Sequence, residues 1–342
     1  MKKFNVAVVG ATGAVGEEIL RVMQECDFPV NNLLPLASAR GAGSKVAFKS
    51  KEYTVLELTE TVFEEHDIEI ALFSAGGSVS AHFAPFAAEA GAVVIDNTSH
   101  FRMEEDIPLV VPEVNPQDIA AWRNRGIIAN PNCSTIQMVQ ALKPLDDIFG
   151  VVRVDVATYQ ATSGAGKSAM EEMVMQMKDF FAFKLDESPH EKFPHQIALN
   201  VIPQIDRFME NGYTKEEMKM VNETKKIMHK NIEVSATCVR VPVLRGHSEA
   251  VTVWLERDVT AEAAKEALYN GKNIVVVDDP KDSLYPMPIT VVDRDETFVG
   301  RIRKDIYKDN VLHLWVVADN LRVGAATNAV RIAQKWIEME YK

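Results

Sequence analysis

Val6-Ala7-Val8-Val9 runs straight into Gly10-Ala11-Thr12-Gly13-Ala14-Val15-Gly16. The first four residues are a continuous apolar run of strand type, and a helix is expected over residues 17–24. The glycines between them let the backbone approach a pyrophosphate, while the helix N-terminus offers free N–H donors and the positive end of its dipole. At the end of an N-terminal strand, this G-x-x-G-x-x-G turn is a variant of the dinucleotide fingerprint, and it sets the fold class as α/β with a Rossmann-type first domain.

Outward from that turn, residues 33–37, 70–73, 93–95 and 127–129 are further short apolar strands separated by helical stretches, the pattern of a parallel sheet covered by helices. The texture changes after about residue 150. Residues 151–160 (VVRVDVATYQ), 237–243, 251–255 and 311–317 alternate apolar and polar side chains, which predicts a mixed sheet with one face buried in an α+β domain. Helices are expected over 169–181 and 215–228, and an amphipathic one over 325–340 can return to the first domain. The division drawn is 1–132 with about 320–342, and 133–319.

A net charge of −12 argues against a nucleic-acid partner, since phosphate backbones need clustered cations. No apolar stretch approaches membrane-spanning length. The lysines at Lys2 and Lys3 resemble a signal peptide, but Asn5, the glycines and Glu17-Glu18 fit a strand and turn better. Three cysteines without paired or metal-type spacing indicate a reduced, cytoplasmic protein with no metal centre.

The second strand chooses the cofactor. NAD-preferring sites usually carry Asp or Glu at its end, whereas here Ser38-Ala39-Arg40-Gly41 has no acid. Arg40 can stack on adenine and pair with a 2′-phosphate, and Ser38 can donate to it, which favours NADP. A second glycine-rich stretch, Ser163-Gly164-Ala165-Gly166-Lys167-Ser168, resembles a phosphate-binding P-loop, but Ala161 stands where that motif needs glycine.

Cys133 lies in Asn130-Pro131-Asn132-Cys133-Ser134-Thr135, after a strand and before a helical run over 136–142. A cysteine at a helix N-terminus is enriched in thiolate, as a catalytic nucleophile must be. Beside a nicotinamide, a thiol implies aldehyde–thioester chemistry. Cys26 on a helix and Cys238 inside a strand read as structural. Among eight histidines, His247 is the best acid/base candidate because it follows a strand and the Gly246 turn; His195 is a weaker rival. Arg240, between Val239 and Val241, is read equally as a wet surface residue or an anion holder.

Taken together, the motifs resemble the aspartate-semialdehyde dehydrogenase family over essentially the whole chain: GATGAVG from Gly10, SAR at 38–40, FR at 101–102, NPNCST at 130–135, YQATSGAGKSA at 159–169, EEMKMVNETKKI at 216–227, CVRVPVLRGHSE at 238–249 and DNLRVGAATN at 319–328. The resemblance implies reversible NADPH-dependent reduction of L-aspartyl 4-phosphate to L-aspartate 4-semialdehyde and phosphate, on the route to lysine, diaminopimelate, threonine and methionine. It makes Cys133 the thioester nucleophile, Gln160 the orienter of the acyl group and His247 the acid/base. Arg240 is implied for the substrate carboxylate, Glu216 for its amino group, and Arg102 and Lys219 for phosphate, with Asn132 also in the substrate set. Thr12, Gly13, Ala14, Val15, Ser38, Arg40, Gly41, Ser163, Gly164 and Asn320 match the family's NADP contacts. A homodimer or tetramer built through the second domain is also implied. Rival readings are an N-acetyl-glutamyl-phosphate reductase, whose cysteine motif typically reads NPGCY; a glyceraldehyde-phosphate dehydrogenase, whose SCTTN-type motif is absent; a cysteine hydrolase; and a redox-sensing NADPH binder without turnover.

Overall fold

In the computed structural model, which describes residues 2–341, the opening stretch forms β1 (Phe4–Val9) and α1 (Ala14–Glu25). The chain makes two compact units, one running up to Asn132 and resuming at Gly324, the other spanning Cys133–Val323.

In the first unit β2 (Val30–Ala37) is followed by a small antiparallel hairpin, β3 (Lys45–Phe48) and β4 (Lys51–Thr54), and by β5 (Leu56–Glu57). After α2 (Val62–Glu65) come β6 (Ile70–Phe73), α3 (Gly77–Glu89), β7 (Val93–Asp96) and β8 (Ile127–Ala129). The main sheet runs β5-β2-β1-β6-β7-β8 and is parallel throughout. Every residue of β6 and β7 is buried, as the uninterrupted apolar runs require when helices cover both faces. Strand order reverses at β1, with β2 on one side and β6 on the other. The carboxyl ends of β1 and β6 therefore flank the crevice where such sheets bind ligands.

The second unit opens with α4 (Cys133–Phe149), β9 (Val151–Gln160), α5 (Lys167–Phe181), α6 (Lys215–Met228) and β10 (Glu233–Arg240). It continues with β11 (His247–Leu255), α7 (Ala261–Tyr269), β12 (Ile274–Val276), α8 (Pro288–Val291), β13 (Thr297–Lys304) and β14 (Val311–Ala318). Its sheet runs β10-β9-β11-β14-β13-β12 and is mixed, since β10 and β9 pair in parallel while β9, β11, β14 and β13 are antiparallel neighbours. One face packs Val154, Val156, Val251, Val253 and Leu314 against Met138, Ala141, Leu142 and Leu145 of α4. On the other face Tyr159 stays 39% exposed beside Trp315, so the alternation expected of this sheet is realised.

The strand expected over 237–243 starts earlier and ends at Arg240. Pro242 has no N–H to give a ladder, and Gly246 turns the chain in the left-handed region (φ +95°). The strand β13 escaped the sequence reading because Arg301 takes a left-handed conformation (φ +51°) and the register slips between Gly300 and Arg303. A π-helical turn (Arg322–Ala326) leads into α9 (Thr327–Tyr341). Its apolar stripe, including Ala329, Ala333, Trp336 and Ile337, joins Phe4, Ile19 and Met23 in the core of the first unit.

Candidate active site

The glycine turn is built as its residue types demand. Gly10 takes φ +83°, and a Cβ at Gly16 would lie 2.1 Å from the Gly10 carbonyl oxygen, so neither position admits another residue without moving backbone. Gly13 caps α1 without any side-chain hydrogen bond, which leaves the helix N–H groups for a ligand. Beside the turn lies a cleft of about 510 Å³, within the range of small-molecule sites. It is lined by Gly10, Thr12, Gly13 and Ser38 from the sequence-derived set, and by Ser74, Ala75 and Phe83, which the sequence reading missed. Their signal was present in Ser74-Ala75-Gly76-Gly77, a second glycine turn between strand and helix with Gly76 at φ +104°. Arg40 is exposed on the rim loop, and at Gly41 a Cβ would stand 2.9 Å from that of Ala37. These features fit a dinucleotide.

Two further residues of this unit were assigned from sequence. Arg102 is 7% exposed; its Nε donates to the Asn130 carbonyl (2.9 Å) and Nη2 to that of Asn97 (2.8 Å). Asn132 is buried.

The second unit gathers the remaining candidates. Cys133 is the first residue of α4 and partly exposed, where the helix dipole favours a thiolate. Gln160 ends β9 opposite Arg240, which ends β10 in the same register. Gln160 Nε2 donates to Glu216 Oε1 (3.3 Å), and Lys219 Nζ donates to Glu216 Oε2 (2.9 Å) and Asp206 Oδ2 (3.1 Å). Thr214 closes a capping box with Glu217 at the head of α6, which fixes the turn that presents Glu216 and Lys219. Burial works against the Lys219 charge, but Glu216 and Asp206 outweigh it and raise its pKa.

Of the two readings of Arg240, its burial excludes the wet surface: it is 5% exposed. Its Nη1 donates to the Ala161 carbonyl (2.6 Å). Burial pulls its pKa down while Glu216, Cys133 and Cys238 oppose this, and guanidinium remains charged regardless. Such a cation invites a bidentate anion. His247 is fully buried, and its Nδ1 accepts from the Ala161 N–H (3.1 Å). Burial, then the Arg240 charge, pushes its pKa down to about 3. The ring is therefore neutral with its proton on Nε2, and Nε2 has no partner among the described residues. His247 thus presents an unused N–H donor. Gly164 makes this crowding possible, for a Cβ there would stand 3.0 Å from Arg240 Nη1 and 3.1 Å from His247 Nε2.

Ser163 and Asn320 meet directly: Asn320 Nδ2 donates to Ser163 Oγ (2.9 Å), while Asn320 Oδ1 accepts from the Gly246 N–H (2.9 Å). Arg245 and Asp319, unassigned from sequence, buttress this loop through a 2.9 Å ion pair, with Asp319 fully buried. Cys238 is buried and its thiol pKa is raised by that burial, in keeping with a structural role. Among the described residues no group of His, Cys, Asp or Glu is arranged to hold a metal ion, and no helix is long and apolar enough to cross a membrane.

Residues 5–122 match the semialdehyde dehydrogenase NAD binding domain, and residues 142–323 match the semialdehyde dehydrogenase dimerisation domain. The aspartate-semialdehyde dehydrogenase of Campylobacter jejuni is 65% identical over 341 residues, covering 100% of this chain and 99% of the relative. The chain belongs to the aspartate-semialdehyde dehydrogenase family. The Aquifex aeolicus member is 56% identical over 97% of both chains. Among solved members, aspartate semialdehyde dehydrogenase II of Vibrio cholerae, complexed with ASA, superimposes with a TM-score of 0.96 at 50% identity over 100% of both chains. The Candida albicans enzyme with NADP does so with a TM-score of 0.76 at 26% identity, over 98% of this chain and 99% of its own. Membership makes the chain an oxidoreductase of amino-acid biosynthesis with an NAD(P)-binding first unit.

Proposed function

We propose that this chain reduces L-aspartyl 4-phosphate reversibly to L-aspartate 4-semialdehyde and phosphate with NADPH, through a thioester on Cys133. The observation that carries the reading is the cluster of Cys133 at a helix start with buried Gln160, Glu216, Arg240 and His247. The Cys133 thiolate attacks the acyl carbon and the carbon–oxygen bond to phosphate breaks; Arg102 and Lys219 neutralise the departing anion, and Asn132 hydrogen-bonds it. Arg240 pairs with the substrate α-carboxylate, Glu216 meets the α-amino group, and Gln160 orients the acyl carbonyl. Bound NADPH, held by Gly10 to Gly16, Ser38, Arg40, Gly41, Ser163, Gly164 and Asn320, would supply the hydride that takes the acyl group to the aldehyde level. The Nε2–H of His247 donates its hydrogen bond to the carbonyl-derived oxyanion; as that oxygen re-forms the carbonyl, the carbon–sulfur bond breaks, freeing the aldehyde and the Cys133 thiolate.

NADP is preferred over NAD in this reading because no carboxylate stands at the end of β2 and exposed Arg40 does. Residues 1–132 with about 320–342 then hold the cofactor, and 133–319 carry catalysis and assembly into a cytoplasmic homodimer, or a tetramer. The dimerisation-domain match and the partly exposed sheet face at Tyr159 support that assembly. The test is NADPH formation from L-aspartate semialdehyde, with and without phosphate. Phosphate-dependent turnover that Cys133→Ser abolishes is expected; turnover without phosphate, or surviving that substitution, refutes the mechanism.

A further inference from the structure

Two residues beyond His247 on β11 stands a carboxyl group that the reaction does not use. Glu249 is fully buried, and neither of its oxygens has a hydrogen-bond partner among the described residues. On the strand it shares a face with His247, Val251, Val253 and Leu255, all buried. One polar side chain within its reach is Gln137, one turn along α4 from Cys133. Gln137 Nε2 donates to the His247 carbonyl (3.4 Å), while its Oε1 also lacks a partner. Each side chain thus carries an unsatisfied acceptor, and within reach of one another the two can form a hydrogen-bonded pair once the acid carries its proton. Turning the amide over instead would set its oxygen against the His247 carbonyl.

We propose that Glu249 is a positioning residue: its neutral carboxylic acid donates to Gln137, registering the first turn of the Cys133 helix against the His247 strand. This rests on the assignment of Cys133 and His247 above. The surroundings favour the neutral form. Burial holds the carboxyl well above the usual carboxylate range, against the opposing pull of Gln137. Its ladder neighbours are Thr158 on β9 and Val316 on β14. Among the described residues, the titratable groups near it include His247 on its own strand, Cys238 on β10, and Glu216 and Glu217 on α6 beside that thiol, with Cys133 one turn from Gln137 on α4. None is a cation; Arg240 lies beyond His247. A charged Glu249 would add a second carboxylate to a site whose nucleophile must itself be an anion.

Glu249→Gln and Glu249→Leu in the full-length enzyme separate the possibilities. Glutamine keeps a neutral donor of the same length, so kcat and the iodoacetamide alkylation rate of Cys133 stay within about twofold of wild type. Leucine leaves Gln137 Oε1 unpaired, so kcat and alkylation both fall by about tenfold or more while KM holds. An infrared carbonyl band of a protonated carboxylic acid at neutral pH is expected in wild type and lost in Glu249→Gln, a readout available whether or not the leucine variant folds. Glutamine as damaging as leucine, an unaffected leucine variant, or no such band would each overturn the proposal. A wild type whose turnover survives Cys133→Ser would instead refute the underlying mechanism.

Discussion

Gly164→Ala turns the closeness of Arg240 and His247 into a measurable loss. The new methyl group would stand 3.0 Å from Arg240 Nη1 and 3.1 Å from His247 Nε2, whereas ordinary contact begins at 3.4 Å. The two groups must therefore retreat by about 0.4 and about 0.3 Å, which is the distance by which each falls short of ordinary contact. Neither has slack: Ala161 holds Arg240 through its carbonyl at 2.6 Å and His247 through its N–H at 3.1 Å, and both side chains are buried. At ~100-fold per ångström of misplacement, each retreat costs about 4- to 6-fold, and both together roughly 25-fold if they act independently. Overpacking adds about 1 kcal/mol of destabilisation. Gly166→Ala is the control, since nothing lies within 4 Å of its Cβ position but its φ is +94°. It should lose about 1–3 kcal/mol of stability to backbone strain at φ +94°, ψ 178°, and keep its kcat/KM. Steady-state kinetics in the semialdehyde-oxidising direction, with denaturant melts of both variants, measures the contrast. Full kcat/KM in Gly164→Ala, or a larger activity loss in Gly166→Ala, would refute the geometric reasoning.

Arg240→Lys keeps the charge but loses the planar fork, so KM for the semialdehyde should rise by about 10- to 100-fold, and initial-rate kinetics reads it directly. Gly16→Ala drives a methyl group to 2.1 Å from a backbone oxygen, so it should abolish NADPH binding in a fluorescence titration or leave the protein insoluble. Stability should carry an acid limb from His247. Its folded pKa of about 3 lies below the ordinary 6.5, so between those values the unfolded chain binds the extra proton and stability falls as pH falls, by about 1.4 kcal/mol per unit. Glu249, whose pKa is raised, has the opposite sign: its contribution is lost as pH rises above the ordinary carboxylate range. Denaturant melts across that window should show the acid limb removed in His247→Gln, and an unchanged limb would count against a buried neutral ring.

The fold was legible wherever one stretch of sequence carried its own reason. The run from Val6 to Gly16 fixes strand, turn and helix by local sterics, and the alternation over 151–160 fixes which face of β9 is buried. Cys133 was legible because a helix start is a local feature. The burial of Arg240 was not legible in its own stretch: it points opposite Val239 and Val241, and only packing against Ala161 and Gly164 makes that face a buried one. The burial of Glu249 has no signal in its own stretch, since sequence cannot say that α4 lies across it. Arg245 and Asp319 lie 74 positions apart, and nothing local to either announces the other. The missed strand β13 has a different cause, a left-handed arginine that breaks the period of two.

The return of α9 to the first unit has a consequence for synthesis on the ribosome. The unit whose strands emerge first cannot close its core until Ala329, Ala333, Trp336 and Ile337 arrive to cover Phe4 and its neighbours. Before that, the whole of Cys133–Val323 is translated, which takes roughly 10–40 s at ~5–20 residues per second. The later-made unit can complete its own sheet in that interval, while the earlier one waits with an apolar surface open to water. A nascent chain arrested short of Ala329 should accordingly hold a protease-resistant second unit and a chaperone-bound first one.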